Sequence, residues 1–272
     1  MRLPFWIGTG WKMNKTLAEA RDYVGTLRRS AIWRDDRLRP FIIPPFTALA
    51  TVRDELGEDA ATNGHGILLG AQNMHWADRG AYTGEVSPLM VKDCGAGLIE
   101  LGHSERRALF NETDEAVNLK VKAASRHGLR PLICVGETGA ERQAGQAVET
   151  VTRQLRIALA GIEPAGLKQV LIAYEPVWAI GDGGVPATPD EANDMHVEIR
   201  RALAALGPAA ADIPVLYGGS VNRANCVALA RQPAVDGLFI GRSAWEATGF
   251  LGIIASIQAV LPTRDKPSAG SL

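Results

Sequence analysis

Short apolar runs recur along the chain, spaced so that one helix fits between each pair. They are Phe5–Thr9, Phe41–Pro44, Ile67–Ala71, Gly97–Leu101, Pro131–Val135, Val170–Tyr174, Pro214–Tyr217 and Val235–Ile240. Most are continuous rather than alternating, the pattern of strands covered on both faces of a parallel sheet. The intervening stretches carry helix signals. Thr188-Pro189-Asp190-Glu191 combines a capping threonine, a proline in the first turn and a glutamate placed to cap reciprocally. Met195, Ile199 and Leu203 then recur every four residues and predict one buried stripe. Thr113-Asp114-Glu115 predicts a second helix start and Gly128 its end. Pro45-Phe46-Thr47 leads into a third, with Ala48, Val52 and Leu56 on one face. Eight strands, each followed by a helical stretch, predict an α/β fold closed into a (β/α)8 barrel, a single domain over residues 1–262; an open doubly wound sheet is the alternative. The polar residues 263–272, with Pro, Ser and Gly, are expected to fray.

Composition narrows the picture. A chain of 272 residues suits one barrel, and 46% hydrophobic with 22% charged residues suits a globular protein with a large core. No apolar run reaches the roughly 20 residues of a membrane span, and Met1–Trp6 lacks the features of a secretory signal, so a cytoplasmic location is expected. A net charge of -1 argues against nucleic acid or an anionic membrane as partner. An anionic small substrate would need locally placed positive groups. Cys94, Cys134 and Cys226 are odd in number and show no C-x-x-C spacing, so buried reduced thiols are expected rather than disulfides or a zinc site.

In such barrels functional side chains follow the strand C-termini. Lys12 comes after the first strand, His103 after the fourth, and Glu175 after the sixth, where Pro176 follows it directly. Taken singly, a lysine there is ordinarily a solvated charge and a histidine more often structural. Glu175 is odder: a carboxylate ending an apolar strand must meet polar company, a structural ion pair for instance, or titrate at higher pH. Gly218-Gly219-Ser220 and Gly241-Arg242 follow the last two strands, where backbone N–H groups can cradle a phosphate.

Together these segments resemble triosephosphate isomerase, over roughly residues 5 to 261. Trp11-Lys12-Met13-Asn14, Gly70-Ala71-Gln72-Asn73, Gly80-Ala81-Tyr82-Thr83-Gly84-Glu85, Gly102-His103-Ser104-Glu105-Arg106-Arg107, Cys134-Val135-Gly136-Glu137, Tyr174-Glu175-Pro176-Val177-Trp178-Ala179-Ile180-Gly181 and Tyr217-Gly218-Gly219-Ser220 stand in the family's order. The resemblance implies a sugar-phosphate isomerase that needs neither metal nor organic cofactor. Glu175 would shuttle a proton between adjacent carbons, His103 would donate a hydrogen bond to the carbonyl oxygen, and Lys12 would supply positive charge, with Glu105 beside them. Pro176, Val177 and Trp178 would form the first hinge of a lid whose tip is Ala179, Ile180 and Gly181. Gly181, Ser220 and Gly241 would hold phosphate. A homodimer is implied too, with Thr83 reaching toward the partner's Lys12 and Glu85 meeting Arg106.

Three positions depart from the family pattern. Gly10 stands where the family has Asn, Arg242 where its last phosphate turn has a second Gly, and Gly184-Val185-Pro186-Ala187 replaces the usual second hinge. Lost bulk at Gly10 admits a larger substrate, and Arg242 offers a cation to phosphate or to an extra hydroxyl. These features, with Gly237-Leu238-Phe239-Ile240-Gly241-Arg242-Ser243, resemble the L-erythrulose-1-phosphate isomerase branch, whose members serve erythritol breakdown. The alternatives are the glycolytic and gluconeogenic triose reaction and, more remotely, a barrel that binds a phosphorylated ligand without turnover.

Overall fold

A computed structural model describes residues 4–60, 66–181 and 184–262. Eight parallel strands close in sequence order: β1 (Phe5–Gly10), β2 (Leu38–Ile43), β3 (Leu68–Ala71), β4 (Leu98–Leu101), β5 (Arg130–Val135), β6 (Leu171–Tyr174), β7 (Val215–Tyr217) and β8 (Gly237–Ile240). β1 pairs with β8 through Trp6 and Gly237, so no sheet edge remains and the open-sheet alternative falls.

Period-two alternation sorts the strand residues into two cores. Trp6, Phe41, Ile43, Leu98, Leu132, Cys134, Leu171, Ala173, Leu216 and Phe239 fill the barrel interior. Their neighbours in the opposite phase, among them Ile7, Ile42, Ile99, Ile133, Ile172 and Leu238, pack outward against the helices. This is why the runs read as unbroken hydrophobic sequence. Interior volume is shared between large and small residues: a Cβ on Gly8 would lie 2.2 Å from the Phe41 ring.

All eight expected strands exist, with no end shifted by more than three residues. The largest difference is β2, which begins at Leu38 rather than Phe41 and ends before Pro44. Pro40 lies inside this strand: its fixed φ is compatible with extended backbone, and Leu38 and Phe41 are buried.

The helix signals are realised. Thr188 and Glu191 form a reciprocal capping box at the head of the helix Pro189–Ala205, and Met195, Ile199 and Leu203 lie on its buried side. Thr113 caps the helix Asp114–His127, which ends at Gly128 with φ 68°. The stretch after Pro45 divides into a 3-10 turn, Phe46–Ala48, and a helix, Leu49–Leu56, and buries Ala48, Val52 and Leu56. Cys134 and Cys226 are buried free thiols, whereas Cys94 is only partly buried. Among the described residues no helix is long and apolar enough to cross a membrane. The expected tail, 263–272, lies outside the described residues.

Candidate active site

The centre of the site is assembled by the first turn of the helix Ser104–Phe110. His103 is its N-cap, and the ring's Nδ1 accepts the Glu105 backbone N–H at 3.1 Å. An accepting Nδ1 carries no proton, so the ring's hydrogen sits on Nε2, which points into the barrel mouth. The Ser104 N–H, in the same turn, donates to Glu175 Oε2 at 3.1 Å. Glu175 Oε1 lies 3.3 Å from His103 Nε2, and the residue is 2% exposed. Among the described residues no lysine or arginine lies within ion-pair distance of Glu175, which removes the structural ion-pair reading. Its position is fixed by backbone: Glu175 N–H donates to Val135 O at 2.7 Å, and a Cβ on Gly136 would collide with Glu175 O at 1.8 Å. Glycine at 136 is therefore what lets β5 and β6 end so close together.

Lys12 follows β1 with φ 53°, a left-handed conformation that costs a side-chain-bearing residue about 1–2 kcal/mol. Gln72 Nε2 donates to Lys12 O at 2.8 Å and helps hold that turn. The side chain reaches across to Glu105, Nζ to Oε1 2.6 Å. One turn of helix thus orients three groups: it holds Glu175 and the His103 ring by backbone N–H, and Lys12 through the Glu105 carboxylate.

These residues line a cavity of about 270 Å³ together with Gly10, Glu100, Ile180, Gly181, Ser220, Gly241 and Arg242. Gly218 and Gly219 continue its wall from the turn after β7, and Ser243 and Trp245 from the stretch after β8. The Ser220 and Gly241 backbone N–H groups have no backbone acceptor among the described residues, which suits them to an anion. The segment expected to form a lid folds as a 3-10 turn, Val177–Ala179. Trp178 Nε1 donates to Glu137 Oε1 at 2.8 Å, with the Arg142 guanidinium 4.4 Å over its ring. Ser220 Oγ donates to Ala179 O at 2.8 Å. Pro176 and Val177 directly follow Glu175, and Gly181 has φ 84°. Residues 184–187, expected as the second hinge, carry no regular secondary structure, and Pro186 lines the cavity.

Two residues of the site went without a role in the sequence reading. Glu137 is fully buried and accepts from both Tyr174 and Trp178, so it ties the segment after β6 to the end of β6. Its signal was a carboxylate two residues beyond the apolar run Pro131–Val135. Glu100 is the other: an acidic residue inside an apolar strand, in phase with Leu98 and therefore facing the interior. Burial, then the nearby Glu175 carboxylate, push its pKa well above the usual carboxylate range. Glu100, Cys134 and Glu175 bring potential ligand atoms within 4.8 Å of one another. Burial holds the Cys134 thiol up as well, and both shifts favour neutral forms, the reverse of what a cation requires.

The loop after β3 is exposed from Arg79 to Glu85, including Thr83. Asn73 at its base accepts from Lys120, which also bonds Glu112, and Arg106 Nε stands 3.4 Å from the other Glu112 oxygen. His75 stacks between Trp76 and Tyr82 at 4.2 and 4.1 Å, stiffening the loop.

Comparison with known proteins matches this geometry to one family. The profile of triosephosphate isomerase matches residues 5–257. An L-erythrulose-1-phosphate isomerase of Mesorhizobium japonicum is 52% identical over 262 residues, covering 96% of this chain and 100% of that protein. Proteins of the same name from Rhizobium meliloti (53% identical; 93% of this chain, 96% of that protein) and Brucella abortus (52% identical; 92% and 95%) are similar throughout as well. A profile match over nearly the whole sequence, on a closed eight-stranded barrel, places this chain in the triosephosphate isomerase family.

Proposed function

We propose that the protein is a cofactor-independent isomerase that interconverts L-erythrulose 1-phosphate and D-erythrulose 4-phosphate through an enediolate. The observation that carries this reading is the shared cavity of Lys12, His103 and Glu175, with glycine turns on one side and a side-chain-free Gly10 on the other. The name borne by relatives about 52% identical over almost their full length supports the four-carbon substrate.

The chemistry needs no net oxidation. Glu175 removes the proton from the hydroxyl-bearing carbon beside the carbonyl. His103 Nε2–H donates to the carbonyl oxygen as charge builds there, and Lys12 offsets that charge. Return of the proton from Glu175 to the former carbonyl carbon, with the hydroxyl proton passed between the oxygens, leaves the carbonyl one carbon along. A histidine whose Nδ1 is occupied by a helix N–H donates as neutral imidazole, the arrangement known from triosephosphate isomerase itself. Gly181, Ser220 and Gly241 N–H groups and Arg242 hold the phosphate, and the lid excludes water from the enediolate.

We also propose a homodimer in the cytoplasm, where phosphorylated sugars are retained. Met13, Phe46, Trp76, Tyr82 and Phe110 are all exposed on segments that follow β1 to β4, an apolar set that a second copy would cover. Thr83 and Glu85 on the protruding loop would then meet the partner near its Lys12 and Arg106.

Steady-state kinetics on L-erythrulose 1-phosphate and glyceraldehyde 3-phosphate test the assignment. The four-carbon substrate should have the higher kcat/KM by at least about tenfold, and Glu175→Ala should abolish turnover. A preference for the triose would reassign the enzyme to the three-carbon reaction. Turnover that persists without Glu175 would remove the proposed base, and extended chelation should leave activity unchanged.

A further inference from the structure

The eight strands contain one acidic residue, Glu100. It faces the barrel interior and lines the substrate cavity, yet it is only 5% exposed. Among the described residues it makes no hydrogen bond, and its Oε1 stands 4.0 Å from His103 Nε2. Buried polar groups nearly always have partners, so an unsatisfied carboxyl in a ligand cavity points to a group supplied by the ligand. The space beside it is specific. Gly10, Glu100 and Phe239 border one recess of the cavity, and a Cβ on Gly10 would crowd it, 3.7 Å from Glu100 Oε2 and 3.1 Å from Phe239 Cζ.

The proposed substrate has a matching difference. A four-carbon ketose 1-phosphate is dihydroxyacetone phosphate with one more hydroxymethyl group, attached to the carbon that loses its proton. That carbon must lie at Glu175 and His103, which meet at 3.3 Å. Its phosphate end is directed to the turns after β7 and β8, so the added group projects toward β1 and β4, which carry Gly10 and Glu100. A hydroxyl both donates and accepts, as does a neutral carboxyl, the form that burial favours here.

We propose that the recess between Gly10, Glu100 and Phe239 is the subsite for this terminal hydroxymethyl group, with Glu100 as the hydrogen-bonding partner that makes the enzyme select four carbons over three. The inference rests on the isomerase reading given above. It makes Glu100 a specificity residue, distinct from the proton shuttle.

The test compares L-erythrulose 1-phosphate, its 4-deoxy analogue and dihydroxyacetone phosphate with the wild type, Glu100→Val, Glu100→Gln and Gly10→Ala. In the wild type, loss of the terminal hydroxyl should lower kcat/KM by about 100-fold, because the carboxyl is then left unpaired. In E100V the hydroxyl-to-deoxy ratio should collapse to within about threefold of unity, with most of the loss in KM. E100Q, which still donates and accepts, should keep a ratio within about tenfold of the wild type. Gly10→Ala narrows the recess while leaving the carboxyl in place and should lower the four-to-three-carbon ratio by about tenfold, so the subsite is tested even if one Glu100 variant folds poorly. An unchanged hydroxyl-to-deoxy ratio in E100V, or an equal loss on all three substrates, overturns the subsite while leaving the four-carbon reading intact. A wild type that turns over only the triose overturns that reading and the subsite with it.

Discussion

Glu175 and His103 face each other across 3.3 Å, and each is held from behind by the same helical turn. Ser104 N–H grips Glu175 Oε2 and Glu105 N–H grips His103 Nδ1. A helix N-terminus thus does two jobs: it positions the proposed base and fixes the proton of the proposed donor on Nε2. Their relative position is set by backbone, so it resists side-chain disorder but not a change in side-chain length.

Shortening Glu175 to Asp should therefore cost far more in rate than in binding. The carboxylate retreats by one methylene from the reacting carbon, and a misplacement of about 1 Å lowers kcat by about 100-fold or more. The phosphate turns are untouched, so KM and inhibition by inorganic phosphate should stay within about threefold of the wild type. Steady-state kinetics with phosphate as competitor separates the two; a large rise in KM at near-normal kcat would contradict the assignment of Glu175 as base.

The backbone of Lys12 allows a sharper comparison. At φ 53° any residue with a Cβ is strained, and glycine is not. Lys12→Ala and Lys12→Gly both remove the charge and should both lose nearly all activity. The Gly variant should nonetheless be the more stable of the two by about 1 kcal/mol, despite glycine's greater freedom when unfolded. Urea unfolding of the pair measures this directly, and a more stable Ala variant would show that the turn carries no strain.

The barrel itself was legible because strands buried on both faces leave unbroken apolar runs, and because Thr188-Pro189-Asp190-Glu191 and Thr113 with Gly128 punctuate helices by local bonding. Lys12, His103 and Glu175 were legible through position after strand ends and through motif order. Glu100 was not, because a single carboxylate within Leu98–Leu101 carries no sign of which face it takes until the strand's phase is known. The early start of β2 was not legible either: a proline usually interrupts a sheet, but here Pro40 pairs with Ile7 of β1 and the strand continues through it.

The anchorage of the proposed lid gives a third prediction. Glu137 Oε1 accepts from Trp178 Nε1 at 2.8 Å and Tyr174 OH at 3.1 Å, while Oε2 is buried without a partner. Trp178→Phe keeps a ring for the Arg142 guanidinium but removes one of these donors. The loss should destabilise the fold by about 1–2 kcal/mol, and it should shift kcat and KM together because the lid's open and closed positions are rebalanced. Thermal unfolding combined with steady-state kinetics tests both parts; a variant with wild-type values in each would show that Glu137 does not anchor the lid.

A final prediction concerns acid stability and lies away from the cavity, at His196. The residue is fully buried in the helix Pro189–Ala205, edge-on to Tyr174 at 5.9 Å. Nδ1 lies 3.2 Å from Ala234 O and donates to it, and Nε2 has no partner. Burial lowers the pKa from 6.5 to about 3. Between those values the unfolded chain binds a proton at this site and the folded protein does not. Stability from this group is therefore complete above about pH 6.5 and declines as pH falls toward 3, by at most about 1.4 kcal/mol per unit. His196→Phe removes the titration and keeps an aromatic ring against Tyr174, while Arg200 Nη2 still donates to Ala234 O. Unfolding free energies measured by urea at about pH 5.5 and 4.5 should fall less steeply in the variant, by close to one proton's worth. Equal slopes in the two proteins would mean that His196 takes up its proton without unfolding, through an opening of the packing between this helix and the outer face of β6 and β7.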